Sequence, residues 1–267
     1  MSGAGNDFVV LGPREAESLG DRLESWVRRV CRRGLSVGAD GVLVVGPSSP
    51  GRIRVSFFNP DGAPAFCGNG SRCAARFAAL EGYAAGSMIL ETVAGDVPAR
   101  LTEDGVRLTL PAPSGWEPLA IEAAGTALEG WKIVAGVPHF VLVVADVARA
   151  PLEIWGPALR RHPAFGAAGT NVDLAERRPD GVGIRTWERG VEGETLACGS
   201  GAVAAACLAR RLGWAGGTVR VVPLSGIPLL VDLPGPADAP EAAVLEGDAR
   251  WIFDGTLAPE ATEGFEA

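Results

Sequence analysis

Two short segments combine a thiol with glycines in a way that suits acid–base chemistry. Cys67 opens the motif C-G-N-G, Cys198 opens C-G-S-G, and each precedes an alanine-rich stretch of helical character. A thiol at a helix N-terminus lies near unpaired backbone N–H groups and the positive end of the helix dipole, which favour the thiolate. The same N–H groups can hold a carboxylate, and the glycines let a ligand approach the main chain. Two such motifs could remove and return a proton on opposite faces of one carbon atom.

A single C-G-x-G motif has a simpler interpretation, in which a small buried cysteine is followed by glycines that cap the helix. The occurrence of the motif at two equivalent positions favours the paired chemical role instead. The remaining thiols, Cys31, Cys73 and Cys207, fall within predicted helices and are expected in the core or partly buried.

An internal repeat relates the two motifs. A shift of 131 residues, without gaps, aligns residues 38–95 with residues 169–226. This shift superimposes the two C-G-x-G motifs, places Leu43 on Leu174, and matches many glycines. Upstream, the segment NDFVVL resembles PHFVLV at a shift of 132. The repeat predicts two halves with the same order of structural elements.

Each half is expected to be an α/β domain. Apolar runs predict a strand, a helix and two further strands before the motif, and an alanine-rich helix and more strands after it. The apolar stripe over residues 14–33 predicts one amphipathic helix. A final strand is expected near residues 251–253, and the proline-rich residues 111–118 are expected to link the halves.

These patterns divide the chain into two domains that are expected to face each other. Residues 1–112 form the half that carries Cys67, and residues 113–249 form the half that carries Cys198. Residues 250–267 could return to the first half.

Composition argues against several classes of function. The net charge of −8 disfavours phosphate backbones and anionic membranes as partners, and no apolar run is long enough to span a bilayer. The opening MSGAGNDFVVL has no basic stretch followed by an apolar run, so no signal peptide is expected. Five cysteines without such a signal are expected to be reduced thiols in the cytoplasm.

Metal and pyridoxal chemistry also lack the residues that they need. His139 and His162 are the only two histidines, and no C-x-x-C or H-E-x-x-H motif is present, so a zinc site is not expected. The only lysine, Lys132, lies in the strand-like segment EGWKIVAGV, which makes it a poor Schiff-base residue. We therefore expect an enzyme with no cofactor.

Longer motifs extend this interpretation over nearly the whole chain. SGAGNDF, FNPDGAPAFCGNGSRCA, GVPHFV, GTNVDL and WERGVEGETLACGSGA follow one another in this order, and the chain resembles the diaminopimelate epimerase family. The resemblance implies a diaminopimelate epimerase-like fold of two pseudo-symmetric α/β domains with the active site in the cleft between them. It implies conversion of L,L-diaminopimelate to the meso isomer, in lysine and peptidoglycan synthesis, without metal or cofactor. The implied partners are this small amino acid and a second copy of the chain in a homodimer, with no nucleic acid and no membrane.

The family's functional residues carry over motif by motif. Cys67 and Cys198 match the acid–base pair. The matching substrate contacts are Asn6, Asn59, Gly68, Asn69, Asn171, Glu188, Arg189, Gly199 and Ser200.

These contacts divide by the part of the substrate that they hold in the family. Residues 68–69 and 199–200 hold the reacting carboxylate, whereas Asn59, Asn171 and Arg189 hold the distal end, where a guanidinium beside two amides suits a second carboxylate. Glu188 could accept a hydrogen bond from the substrate ammonium. His139 matches a position near the first thiol, where it would tune protonation.

Two departures from the family pattern affect the choice of substrate. Gly41 stands where many members have glutamine, and Val137 replaces an asparagine that usually contacts the distal amino end. A related cofactor-independent racemase with another amino-acid substrate therefore stays open. A dithiol redox protein is a second alternative, because two facing thiols could cycle through a disulfide.

Overall fold

The computed structural model describes residues 1–263, which form two compact units. Unit 1 comprises Met1–Leu108 together with the chain from Gly247 onward, and unit 2 comprises Thr109–Glu246. Both boundaries fall a few residues before those expected from the sequence. The last four residues of the segment 250–267 lie outside the described residues.

Unit 1 is a mixed sheet with three helices. Its elements are β1 (Ser2–Gly3), β2 (Asn6–Leu11), α1 (Pro13–Leu19), α2 (Leu23–Val30), β3 (Gly41–Ser49), β4 (Arg52–Phe58), β5 (Pro64–Ala65), α3 (Gly68–Leu80), β6 (Ser87–Thr92), β7 (Gly95–Leu101) and β8 (Val106–Pro111), which runs on into unit 2. Strand β2 pairs with β3 in parallel, β3 with β4 antiparallel, and β4 with β6 in parallel. The short β5 lies antiparallel to β4, and β6, β7 and β8 continue the sheet antiparallel.

Unit 2 repeats this succession. Its elements are β9 (Ser114–Ala123), β10 (Thr126–Ala135), β11 (Val137–Val143), α4 (Leu152–Arg160), β12 (Asn171–Arg178), β13 (Gly181–Glu188), β14 (Gly193–Thr195), α5 (Gly199–Arg211), β15 (Val219–Val222), β16 (Leu229–Asp232) and β17 (Ala242–Gly247). Strand β11 pairs with β12 in parallel, β12 with β13 antiparallel, and β13 with the short β14 antiparallel and with β15 in parallel. Strands β15, β16 and β17 continue the sheet antiparallel. This is the same succession as from β2 to β8. The hairpin of β9 and β10 precedes this repeat.

Each sheet curves around one central helix. Helix α3 contacts strands from β2 to β7, and α5 contacts strands from β10 to β16. Alanines occupy much of both helices and are buried, for example Ala74, Ala75, Ala205 and Ala206. Small side chains let the strands approach the helix closely on several sides, which explains why the alanine-rich stretches are core rather than surface helices.

Three expectations from the sequence are wrong in detail. The single helix over residues 14–33 is two helices, because Gly20 takes a left-handed conformation (φ 51°) that ends α1, and α2 stops at Val30. Most of the supposed linker 111–118 belongs to β9, whose backbone pairs with β10.

The strand expected near residues 251–253 does not form. The last strand is β17, and beyond it Arg250 makes only an isolated bridge to Ser2, while the Trp251 ring stacks on Phe77 at a centroid distance of 6.0 Å. The C-terminal segment is thus held to unit 1 by side-chain packing rather than by a strand ladder. No helix within residues 1–263 has the length and apolar character needed to cross a membrane.

Candidate active site

The two cysteines of the C-G-x-G motifs cap the two central helices in the same way. Cys67 is extended (φ −137°, ψ 116°) at the N-terminus of α3, and its sulfur accepts the N–H of Gly70 at 3.3 Å. Cys198 is extended (φ −112°, ψ 115°) at the N-terminus of α5, and its sulfur accepts the N–H of Gly201 at 3.4 Å. Each sulfur therefore takes the place of the usual capping oxygen and receives one of the unpaired N–H groups of its helix.

The surroundings of Cys198 favour the protonated thiol. Cys198 is only 7% exposed, and burial raises the pKa of its thiol well above the ordinary value. The nearby carboxylates of Glu188 and Asp173 raise this pKa further. Hydrogen bonds from Ser200 and Gly201 oppose the shift but do not outweigh burial. The expectation that the helix N-terminus favours a thiolate is therefore wrong for Cys198 in the ligand-free chain.

The other three cysteines are core residues, as expected. Burial raises the pKa of Cys31 to about 11 and that of Cys73 and Cys207 to about 12. Thiols with such high pKa values stay protonated and unreactive at neutral pH.

In unit 1 the first turn of α3 is tied to the N-terminal strand by amide side chains. Asn69 donates a hydrogen bond to Oδ1 of Asn6, and Nδ2 of Asn6 donates to Asp40 at 2.9 Å. The guanidinium of Arg72 donates to Oδ1 of Asn69 at 2.9 Å. The Arg72 cation and the Asp40 carboxylate thus fix the orientation of both amides. The carbonyl oxygen of Asn69 faces Arg72 and that of Asn6 faces Asn69, while the NH₂ group of Asn69 points to Asn6 and that of Asn6 to Asp40.

Arg72 is completely buried, which is rare for an arginine. Its Nε donates to the carbonyl oxygen of Asp248, and burial lowers the pKa of its guanidinium. Its Nη1 finds no hydrogen-bond partner among the described residues. A buried cation under the first turn of α3 adds positive potential near Cys67.

The remaining candidates in unit 1 lie where the main chain is open or turns. Gly68 begins α3, and a β-carbon added to it would meet no atom within 4 Å, so there is room for a ligand here. Half-buried Asn59 follows β4 and begins a tight turn, in which its backbone pairs with Ala63 and Gly62. At Gly41 an added β-carbon would stand 2.3 Å from the Phe57 ring, which explains why this chain has no glutamine there.

In unit 2 a carboxylic acid lies against the Cys198 thiol. Glu188 ends β13, accepts a hydrogen bond from Thr195 at 2.6 Å and is hydrogen-bonded to Cys198. Burial raises the pKa of Glu188 above its ordinary value, although these hydrogen bonds partly oppose the shift. Ser200 Oγ also lies 3.4 Å from the Cys198 sulfur. Gly199 is the first residue of α5.

His139 and Asn171 lie side by side on β11 and β12. Nδ1 of His139 lies 2.6 Å from the carboxylate of Asp173, and Nδ2 of Asn171 lies 3.4 Å from Nε2 of the same ring. The backbone N–H of Arg189 donates to Oδ1 of Asn171 at 2.7 Å. The guanidinium of Arg189, which is half-buried, forms no ion pair with another described residue.

Five polar side chains of these networks were not predicted from the sequence: Arg72, Asp40, Asp173, Thr195 and Thr186, whose hydroxyl donates to Asp173. Asp173 and Arg72 did leave a signal, since each is a charged residue inside an apolar strand or an alanine-rich helix. Their partners could not be identified, because they are distant in the chain.

Solved structures share this fold. A probable proline racemase from Agrobacterium radiobacter superimposes with a TM-score of 0.62 and 19% identity, covering 91% of this chain and 84% of the other. A putative phenazine biosynthesis PhzC/PhzF protein from Clostridium difficile gives a TM-score of 0.65 and 12% identity over 94% and 92% of the two chains. The fold is thus the repeated α/β fold of racemases and their relatives.

Sequence comparison then identifies the family. Residues 1–111 and 132–252 match the family model described as diaminopimelate epimerase. The diaminopimelate epimerase of Aquifex aeolicus is 38% identical over 98% of both chains, and that of Gemmatimonas aurantiaca is 39% identical over 97% of this chain and 98% of its own. The chain belongs to the diaminopimelate epimerase family, whose members are isomerases.

Proposed function

We propose that this protein is a diaminopimelate epimerase that interconverts the L,L and meso isomers by proton transfer at the α-carbon. The observation that carries the proposal is the pair of matched helix-capping cysteines, Cys67 and Cys198, at equivalent places in two repeated units. Inversion needs one group to remove the proton and another to return it from the opposite face.

The raised pKa of Cys198 fits the role of a proton donor. By family resemblance Cys67 is the base for the L,L isomer, so Cys198 must then donate a proton. The raised pKa of Cys198 supplies a protonated thiol for this step. The buried Arg72 adds positive potential on the side of Cys67, which favours the thiolate there.

The N–H groups at the two helix N-termini are suited to the reacting carboxylate. Residues 68–69 and 199–200 form the first turns of α3 and α5, where backbone N–H groups would bind the carboxylate and stabilise the enolate-like charge that develops on proton removal. Asn6 would contribute from β2 through its bond to Asn69.

A second carboxylate would be held by Arg189. Its guanidinium has no ion-pair partner among the described residues, and its backbone N–H donates to the side-chain Oδ1 of Asn171. With Asn59 these groups would bind the distal end of a dicarboxylic amino acid. The proposal also includes a homodimer and the absence of a cofactor, which the family resemblance implies, and a cytoplasmic location.

The deciding experiment is incubation with L,L-diaminopimelate in D₂O, following deuterium at the α-carbon and the stereochemistry of the product together. We expect meso product that carries solvent deuterium at the inverted centre only, with full activity after dialysis against a chelator. Inversion without incorporation of solvent deuterium, or no inversion at all, would contradict the proposal.

A matched substrate tests the alternative of a racemase for another amino acid. L-Lysine has the same carbon chain as diaminopimelate without the distal carboxylate. We expect deuterium exchange into lysine to be slower by at least a hundredfold, because Arg189 would be left without its anion. Equal rates on the two compounds would favour a monocarboxylate racemase.

A further inference from the structure

A fully buried carboxylate lies beneath the first turn of α5. The Asp173 side chain is completely inaccessible and sits in β12 between the buried residues Val172 and Leu174. Thr186 donates to its Oδ1 at 2.7 Å, and its Oδ2 lies 2.6 Å from Nδ1 of His139. Because a buried carboxylate is costly unless its oxygens are bonded, these two partners are what allow it to remain in the core.

The same network determines which nitrogen of His139 carries the proton. The Arg189 N–H donates to Oδ1 of Asn171, so the amide NH₂ group of Asn171 must face the ring. An NH₂ group can only donate, and Nε2 of His139 is therefore the acceptor. The ring proton is then on Nδ1, where it is donated to Asp173.

The repeat shows that the fold itself does not need these polar groups. In unit 2 Asp173 pairs across the sheet with Thr186, and a β-carbon added to Gly201 would stand 2.6 Å from Asp173 Oδ1. In unit 1 Leu43 pairs with Phe57, and Leu43 is the nearest side chain to the corresponding Gly70, at 3.2 Å. Leu43 is therefore the counterpart of Asp173.

This equivalence corrects the gapless alignment, which placed Leu43 on Leu174 and is wrong by one residue in this strand. In this register Gly41 is the counterpart of Asn171, and Phe8 lies beside Gly41 as His139 lies beside Asn171. The upstream match at a shift of 132, which placed Phe8 on Phe140, is therefore also wrong by one residue. The Phe8 and Phe57 rings pack edge to face, 5.9 Å apart. Thus Phe8, Leu43 and Phe57 occupy in unit 1 the places of His139, Asp173 and Thr186.

At these equivalent strand positions, polar side chains lie against only one of the two helices, which points to chemistry rather than to packing. Three apolar side chains stabilise the fold at this place in unit 1 through hydrophobic burial. In unit 2 the polar replacements lie against the helix that carries Cys198. The titratable groups around that sulfur are Glu188 from β13, Asp173 from β12 and, next to Glu188, His139 from β11.

We propose that Asp173 is a positioning residue, which fixes the His139 ring as its Nδ1–H form and places a negative charge beneath Cys198 that favours the proton-donating thiol. The proposal rests on the epimerase function in one respect only, the use of Cys198 as an acid. The two equivalent cysteines of the duplicated fold thus lie above different strand side chains, Asp173 in unit 2 and Leu43 in unit 1.

The ring proton can be tested without any substrate. The chain has only two histidines, so the variant His162→Gln leaves His139 as the single imidazole in long-range proton–nitrogen NMR spectra of the ligand-free protein. We expect a protonated Nδ1 and an unprotonated Nε2 near neutral pH in this background. In His162→Gln/Asp173→Leu, which installs the residue of unit 1, we expect that preference to be lost while the protein still folds.

The charge is tested by the pH profile of kcat/KM. Asp173→Asn keeps the shape and can still accept a hydrogen bond from His139, but it removes the negative charge, so we expect the profile to move to lower pH by about half a unit or more. Thr186→Val is the matched control, because it removes the other hydrogen bond of the carboxylate and leaves the charge. Its profile should stay in place even if its Tm falls.

Each result separates the proposal from its alternatives. An Nε2–H or doubly protonated His139 in the ligand-free protein would overturn the positioning role whatever the substrate is. A lower Tm for Asp173→Asn with an unmoved pH profile would show that Asp173 is structural only. Failure of the epimerase assay with the expected NMR spectrum would count against the proposed function and not against the Asp173–His139 pair.

Discussion

Gly201 lies directly on Asp173: a β-carbon added to the glycine would stand 2.6 Å from Oδ1 of the aspartate. Any side chain at this position would therefore have to displace the Asp173 carboxylate, so the protein's own core favours glycine here. The N–H of the same glycine donates to the Cys198 sulfur. Gly201 therefore takes part both in the packing of α5 against Asp173 and in the capping of α5 by Cys198.

Gly201→Ala should therefore destabilise the protein and reduce activity. The added methyl group has to displace a buried, doubly hydrogen-bonded carboxylate, and overpacking of this kind costs about 1–3 kcal/mol. Urea denaturation followed by circular dichroism measures the loss. Gly70→Ala is the matched control, because its β-carbon meets the flexible end of Leu43 at 3.2 Å and should cost less. Equal losses in the two variants would contradict this account of Gly201.

Removal of either capping sulfur should abolish inversion. Cys67→Ala and Cys198→Ala each delete a group that acts as base in one direction and as acid in the other, so each alone should reduce kcat to the background of the assay. The double variant should be no worse than either single one, since the pair acts as a unit. The assay is the stereochemical conversion of L,L-diaminopimelate. Inversion near the wild-type rate by Cys198→Ala would rule out the two-thiol mechanism.

Arg189→Met should raise KM strongly and reduce kcat/KM by about 2–4 kcal/mol in transition-state free energy, as expected when a charged partner is left unpaired. Steady-state kinetics with L,L-diaminopimelate measures both constants. Arg161→Met is the control: its side chain is 73% exposed and pairs only with Glu192. If Arg189→Met handled diaminopimelate as well as the wild type, Arg189 would not hold the distal carboxylate.

Arg72→Met should reduce kcat/KM by more than tenfold while the protein still folds. The substitution leaves Oδ1 of Asn69 without its donor, so the orientation of the Asn69 and Asn6 amides is no longer determined, and it removes positive charge near Cys67. Arg72 also donates to the carbonyl oxygen of Asp248, so the variant should lose some stability as well. Arg76→Met, one turn later in α3, is the control. A large loss of Tm with unchanged kinetics would show that Arg72 is only structural.

Stability should fall in alkaline solution because of the buried thiols. The pKa of Cys31 is raised to about 11 and that of Cys207 to about 12, whereas an unfolded thiol titrates near about 8.5. Below that pH both states are protonated and nothing is lost. Above it the unfolded chain releases protons first, so each such thiol lowers the free energy of unfolding by about 1.4 kcal/mol per pH unit until its folded pKa is reached.

The measurement is the urea midpoint in reductant at about pH 8 and about pH 10. Cys207→Ala is the informative variant: it should be less stable at the lower pH, because it leaves a small cavity, but its midpoint should fall less between the two pH values. A decline as steep as that of the wild type would show that Cys207 is not among the titrating groups.

Local patterns in the sequence determined much of the fold and the identity of the two capping cysteines. Helix capping depends on a few consecutive residues, so a cysteine before G-x-G and an alanine-rich run was enough to predict where α3 and α5 begin. The repeat predicted two units of the same topology, since duplicated segments keep their element order. Family motifs extended the prediction to Asn6, Asn171, Glu188 and Arg189, whose roles in substrate binding stay predictions.

The electrostatics of the site were decided only by the tertiary structure. Cys198 has a raised pKa because strands from elsewhere in unit 2 exclude water from it and bring Glu188 and Asp173 close. The bond between His139 and Asp173 spans 34 residues of chain, and no periodicity marks which residues will meet across parallel strands. Leu43 and Asp173 occupy equivalent places in the two units, but the gapless sequence alignment placed them one residue apart. Side-chain pairing across a sheet is set by register, and register is a property of the assembled fold.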